Sequence, residues 1–424
     1  MIHVIGGGLY GLTFAHFLKG KEYRIIERDP YIGGYCRSVG VGYRIVIDRA
    51  GHIFHSLKED DIAWLNGLGC NLIKQERHAR IYNSGKGFNK PEVIDYPFQT
   101  NYKHLNKKVA GECEKDFLKA QKKGNKSGFD ESSIGRSMRS KFGNAMMKYF
   151  FTPYNKKYWR FPDTKIELIK SNRIAESGSK GYNDSFYYPQ MGGAGMVVNK
   201  IAETIKRDNC LLNCNIEYID VDKKIIKMNG VEEKWETIVS SIPLHHMVKY
   251  IKNAPYKVKS AAKNLKYTSM YVLSFIYKTK NNSPLNTHWI YASDPKMPFM
   301  RAYFMKSFST FTCPDNYDVV SFEISMYKDK KLGLVSDVNM LESLEIDGNN
   351  VVLPIVDYLN PAYTIFDKGW KKRVDIIQEY LMSKNIYSKG RYGSWAYMDM
   401  GETIRDAKSL ALEFNKKEEA IDNE

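Results

Sequence analysis

The chain has 424 residues, 43% of them apolar and 26% charged, which is ordinary usage for a folded protein and excludes a disordered or fibrous chain. That length exceeds one ordinary core and predicts two or three packed units, and no apolar run approaches the roughly 18–20 residues of a membrane span. Lysine and arginine total 64 against 48 aspartates and glutamates, a balance of +16 that attracts anions, but the lysines are scattered and no groove-reading motif accompanies them, so nucleic acid is not an expected partner.

Residues 2–5 (Ile-His-Val-Ile) form a short apolar strand that ends directly on glycines, unlike a signal peptide, and a cytoplasmic chain with no integral membrane segment is expected. Gly6, Gly8 and Gly11 follow in G-x-G-x-x-G spacing, then a helical pattern through Leu12, Ala15 and Leu18. A second strand over 23–26 ends on Glu27. In this order Gly6 permits the tight turn, Gly8 the approach to a pyrophosphate and Gly11 close helix–strand packing, while Glu27 accepts from a ribose. A dinucleotide is the expected ligand, held at the helix N-terminus.

Residues 102–185 read as a mostly helical insertion, including a helix over 134–149. Alternation over 216–228, a turn at Gly230 and a buried strand over 238–243 read as a return to the nucleotide unit. Strands over 270–277, 288–292, 301–305 and 319–327 predict an antiparallel sheet within 250–360. The loop and helix over 390–412 close the chain on the nucleotide unit, with a charged tail from Lys416. The expected fold is α/β. A Rossmann-like domain is assembled from 1–101, 186–249 and 361–424, with a helical insertion at 102–185 and an antiparallel sheet domain at 250–360. Six cysteines contain no CxxC pair and no zinc spacing, so free thiols are expected. His52 and His55 lie three apart without an acid or cysteine at ligand spacing, so no metal site is expected. Composition leaves a homo-oligomer open.

Beyond Glu27 the glycine pair Gly33-Gly34, followed by Arg37, resembles the FAD fingerprint of the amine-oxidase-like flavoproteins. Further motifs resemble the UDP-galactopyranose mutases. Ala50-Gly51-His52-Ile53-Phe54-His55 is similar to their histidine loop at the flavin, and Tyr96-Pro97-Phe98-Gln99 to the next active-site segment. Residues 150–159, with Phe150, Phe151, Tyr154 and Trp159, resemble the segment that cradles uridine; Arg173 lies fourteen residues beyond Trp159, where that family carries a mobile-loop arginine. Pro298-Phe299-Met300-Arg301 resembles the strand of the second phosphate arginine, and the turn at Gly192-Gly193 the glycine turn under the flavin. Arg391, Tyr397, Asp399 and Met400 match the closing FAD and sugar motif.

The resemblance implies FAD as cofactor, NAD(P)H as its reductant and a nucleotide sugar as substrate. The implied reaction interconverts the pyranose and furanose forms of UDP-galactose through an adduct between reduced-flavin N5 and the sugar, with no net redox change. Arg173, Arg301 and His52 would be catalytic. Phe150, Phe151, Tyr154, Trp159, Gln99, Tyr363 and Tyr397 would bind substrate. Two arginines suit the diphosphate because their planar forks remain ionised. Two departures stand out. Thr364 follows Tyr363 where the family carries proline, and the aromatic after the mobile arginine is either Tyr182 or Phe186. A mutase for another nucleotide sugar therefore stays open, as do a redox flavoenzyme of the amine oxidase or protoporphyrinogen oxidase type and a non-catalytic flavin protein.

Overall fold

The computed structural model describes residues 1–42, 44–85, 87–169, 184–280, 286–333 and 337–421. Its first strand, Ile2–Ile5, is buried along its whole length and lies inside a parallel five-stranded sheet. The order is Ile386–Ser388, Thr237–Ser240, Ile2–Ile5, Tyr23–Ile26, Cys210–Leu211. Continuous apolar runs are what a parallel strand covered on both faces requires. Three distant stretches of chain thus build one parallel sheet, as the α/β reading expects.

The strand over 216–228 is the exception. It forms a separate antiparallel sheet of Ile216–Asp220, Ile225–Met228 and Val231–Lys234. Asn229 and Gly230 adopt φ of 47° and 84°, so the chain doubles back there and never enters the parallel sheet.

The second layer is a seven-stranded sheet ordered Val351–Ile365, Lys266–Lys278, Tyr317–Tyr327, Arg301–Phe304, Trp289–Ala292, Ala79–Asn83, Glu92–Asp95. Its last two strands come from within 1–101, so this stretch is divided between both layers. Ala79–Asn83 joins Trp289–Ala292 in parallel, an unexpected pairing in an otherwise antiparallel sheet. Because direct cross-strand partners share a face, register places Tyr291, Arg301, Glu323, Val272 and Asp357 in one transverse row.

The insertion is helical, with Lys107–Ser127 against Ile134–Met146, then a π-turn at Met147–Phe151 running into Thr152–Trp159. Exposed lysines cover the outer side of the first helix while Val109 and Cys113 are buried on the other. Among the described residues no helix is long and apolar enough to cross a membrane.

Close packing at the first glycine turn decides how the parallel layer forms. Gly6 has φ +104°, and a Cβ on Gly11 would lie 2.1 Å from the Gly6 carbonyl oxygen and 3.2 Å from Val4 Cγ1. The helix Leu9–Phe17 therefore seats on Ile2–Ile5 only with glycine at position 11. Its Phe14 meets Phe414 of the closing helix edge-on at 5.6 Å. Gly11→Ala is expected to destabilise the fold by about 3 kcal/mol or more through overpacking, read from urea unfolding. A midpoint equal to wild type would contradict this packing.

Candidate functional site

A cavity of about 550 Å³ runs between the two layers and under the helical insertion. Its first end is built from the glycine turn. Gly6, Gly8, Glu27, Gly33 and Gly34 all line it. Gly33 N donates to the Gly7 carbonyl at 2.7 Å, and a Cβ on Gly34 would come within 3.3 Å of Gly8 Cα. Side chains at either position would separate two backbones that must run together here. Glu27 accepts from the Gly7 and Asp29 amides, each at 2.9 Å, while burial raises its pKa. Gly11 packs beneath this end and does not line it.

Two predicted cofactor residues lie behind the wall rather than in it. Gly193 approaches Asp48 and Ser38, where a Cβ would meet either oxygen at 2.6 Å. Its turn positions Ala194 N to donate to Asp48 at 3.0 Å and Gly195 N to Ser38 at 2.7 Å. Gly192 packs on Met196. Burial pushes Asp48 up to about 6 despite bonds from Ser38, Tyr188 and that amide. This turn supports the Ser38–Val41 and Ile45–Asp48 hairpin from behind. Arg37 lies outside the lining as well, its guanidinium 4.6 Å from the Tyr31 ring centre.

The middle of the cavity gathers His52, Tyr363, Arg391, Tyr397, Asp399, Met400 and Arg301 from four separate stretches of chain. Arg301 bonds Glu323 through Nε at 2.6 Å, and its Nη2 donates to Tyr363 Oη at 3.2 Å. Burial works against its charge, but Glu323 holds its pKa well above the ordinary value. Arg391 donates to the Met398 carbonyl at 2.5 Å and lies 4.7 Å from the Tyr397 ring centre. Burial and then the nearby Arg391, Arg301 and Arg49 push His52 down to about 3, and its buried Nδ1 has no partner among the described residues. His55 pairs with Asp399 at 3.2 Å, and Ser56 also donates to that carboxylate. Burial opposes the charge of Asp399, yet these bonds and the Glu402 amide leave its pKa lowered.

The far end is aromatic. Phe150 stacks on Phe98 at 5.0 Å and on Tyr154 at 5.4 Å, while Phe151 stacks on Phe142 at 5.2 Å. Both phenylalanines belong to the buried core and also reach the cavity wall. Trp159 and Gln99 line the same end. Tyr158 joins it to the centre, with its hydroxyl 3.3 Å from that of Tyr397 and its ring 4.5 Å from Tyr363.

Arg173 and Tyr182 lie outside the described residues. Phe186 is buried against His288 and Trp289, away from the lining. Among the described residues no group of three or more His, Cys, Asp or Glu is arranged to hold a metal.

Sequence reasoning missed Arg49, Arg77, Lys157, Tyr158, Tyr291 and Glu323. Lys157 and Tyr158 lie inside the aromatic helix Thr152–Trp159. Tyr291 and Glu323 become neighbours of Arg301 only through strand register, while Arg49 and Arg77 reach the cavity from positions just outside strands. Lys157 is buried and donates to the carbonyls of Asp294 at 2.9 Å, Met297 at 3.3 Å and Phe299 at 2.8 Å. Burial lowers it to about 7, with Asp294 acting in the opposite direction. It ties the aromatic helix to the segment that leads into Arg301.

A model of NAD(P)-binding Rossmann-like domains matches residues 4–65. Over nearly its whole length the chain shares its fold with reduced UDP-galactopyranose mutase, at TM-score 0.86 and 22% identity, covering 97% of this chain and 92% of that one. A putative protoporphyrinogen oxidase from Exiguobacterium sp. 255-15 matches at TM-score 0.76 and 13% identity, over 98% of each chain. Putrescine oxidase bound to putrescine matches at 0.68 and 14%, also over 98% of each. The fold is thus the Rossmann-like α/β type with a separate, largely antiparallel sheet. Within that type it is the arrangement seen in UDP-galactopyranose mutase and these oxidases.

Two outcomes are expected of the site. His52 remains neutral at physiological pH, so a histidine NMR titration shows no His52 inflection between about pH 5 and 8. Its folded value is lowered from 6.5 to about 3. The associated stability is therefore present above pH 6.5 and lost as pH falls from there towards 3. An inflection near 6.5 would show that the histidine is hydrated. Lys157→Met leaves three buried carbonyls without their donor and is expected to cost about 3 kcal/mol, measured by chemical denaturation. An unchanged midpoint would refute that role.

Proposed function

We propose that the protein is a flavin-dependent nucleotide-sugar mutase that interconverts the pyranose and furanose forms of a UDP-sugar, UDP-galactose first among them. The observation that carries the reading is that two partly buried arginines, Arg301 and Arg391, line the same cavity as the glycine turn and the aromatic cluster. A diphosphate leaving group needs such fixed cations, whereas an amine substrate does not.

The glycine end fits FAD. The paired backbones at Gly8 and Gly34 admit a pyrophosphate, and Glu27 is placed for a ribose. Bound there and reduced, FAD supplies the nucleophilic ring nitrogen that an isomerisation at an anomeric carbon uses; NAD(P)H is the proposed reductant. The residues around it divide the remaining work. Phe150, Phe151, Tyr154, Trp159 and Gln99 hold the uridine and use its binding energy for orientation. Arg301, with the Tyr363 hydroxyl beside it, and Arg391 stabilise the charge that develops on UDP and retain it for recapture. Arg173 is proposed as a further phosphate arginine. Tyr397 bounds the sugar side. Neutral His52 offers one donor and one acceptor nitrogen at the flavin edge, and Asp399 orients the neighbouring His55.

A second reading, a redox flavoenzyme of the amine oxidase type, is favoured by one feature: the Arg301 charge is balanced within the protein by Glu323.

Anaerobic assay of FAD-loaded protein separates the two. Interconversion of UDP-galactopyranose and UDP-galactofuranose is expected only after dithionite reduction, and Arg301→Lys should lower kcat/KM by on the order of 100-fold. Oxygen uptake driven by an amine, with no UDP binding, would replace the first reading with the second.

A further inference from the structure

We propose that the outer face of the helix Lys107–Ser127 docks on an anionic lipid bilayer, against which the protein lies peripherally. The inference is independent of the reaction proposed above. Lys108, Lys115, Lys119, Lys122 and Lys126 follow one another at steps of seven, four, three and four residues. At about 100° per residue these steps keep the lysines within about 60° of one another around the helix, in a row about 27 Å long. Each of them is exposed, whereas Val109, Cys113 and Gly124 on the other side of the helix are buried.

The charge of this row is left open. The acids of the helix are Glu112, Glu114 and Asp116, and each is engaged elsewhere. Glu112 accepts from Lys148 at 2.9 Å and from Tyr149 at 2.5 Å, Glu114 pairs with Lys103 at 3.1 Å, and Asp116 accepts from the Ala145 amide at 2.9 Å. Lys108 acts on Glu112 more weakly than Tyr149 and Lys148 do. Among the described residues no lysine of the row has an ion-pair partner. Lys90, from another segment, shares a surface hollow with Lys108 and adds a cation at that end. A face that served only solvation would alternate signs, because like charges three or four residues apart weaken a helix. Here Lys115, Lys119, Lys122 and Lys126 are neighbours of one sign, which an anionic partner relieves.

Two features select a bilayer as that partner. Leu118 is 61% exposed and lies three residues after Lys115 and four before Lys122, hence on the same side of the helix. An apolar side chain set among lysines enters the boundary between headgroups and acyl chains, which a bare phosphate backbone does not offer. The row also stands on the convex surface of one helix, so a plane meets all of it at once. A second copy of the chain would bring like charges together.

The test is sedimentation of the full-length, FAD-loaded protein with vesicles of phosphatidylcholine alone and of phosphatidylcholine mixed with phosphatidylglycerol, at low and at raised salt. Wild type is expected to bind the mixed vesicles at low salt, to leave them as salt rises and to ignore the neutral ones. One lysine near an anionic leaflet contributes about fivefold in affinity, so Lys115→Gln, Lys119→Gln and Lys122→Gln combined should weaken binding about 100-fold. Leu118→Asn should weaken it about threefold with every charge retained. The same charge change on exposed lysines of another helix, Lys257→Gln, Lys259→Gln and Lys263→Gln combined, should stay within about threefold of wild type. Wild-type protein that stays in solution with the mixed vesicles overturns the inference. Equal losses in the two triple variants overturn it as well, because they mark net charge alone. An oligonucleotide that displaces the protein from the vesicles, with Leu118→Asn without effect, assigns the row to nucleic acid and also overturns it.

Discussion

Arg301 and Glu323 form a buried ion pair on adjacent strands, and much of the chamber is arranged around it. A carboxylate with no exposure is costly unless a cation and further donors satisfy it, and removing either partner of such a pair typically costs 3–5 kcal/mol. Here the other donor is the Gly51 amide, 3.3 Å from Glu323 Oε1. The loop that carries His52 is thereby fastened to the large sheet. Further along the same transverse row, Asp357 takes a two-pronged bond from Arg49 at 2.5 and 2.6 Å. Two carboxylates of one row thus hold the loop at positions 49 and 51, and the cavity lies where the layers meet.

The charge balance of that row shapes the chemistry available beside it. Burial first, and then Arg391, Arg301 and Arg49, keep His52 neutral, while Asp399 remains ionised beside His55 and Ser56. The cavity therefore holds guanidiniums beside a neutral histidine. Such an arrangement suits an anionic leaving group, and it disfavours a histidine that works as a strong acid.

Rigidity comes from the surroundings more than from the loops themselves. Lys157 fastens the aromatic helix to the segment before Arg301, and the stack of Phe98, Phe150 and Tyr154 fixes the other side of that helix. The aromatic end of the cavity and Arg301, distant in sequence, are thereby held in one frame. This is the support that positioning chemistry requires.

How much of this was legible beforehand follows from the range of each interaction. Gly6, Gly8, Gly11 and Glu27 act over one turn and two short strands, so spacing alone disclosed the glycine turn; the apolar run 2–5 disclosed the buried strand before it. The helical insertion and most strands of the large sheet were likewise readable from local periodicity. Periodicity does not reveal which strands become neighbours. The transfer of Ala79–Asn83 to the large sheet, the separate hairpin at Ile216–Met228 and the row joining Tyr291, Arg301 and Glu323 are pairings over long sequence separation. The same holds for Gly192 and Gly193, whose turn sequence suits a cofactor but which pack on Met196 and on Asp48 respectively. The sequence by itself determined the nucleotide turn, the aromatic helix and the supply of arginines. Tertiary structure alone decided which arginine is paired, which histidine is kept neutral and which glycines meet the cavity, because each outcome depends on burial and on charges brought from other strands.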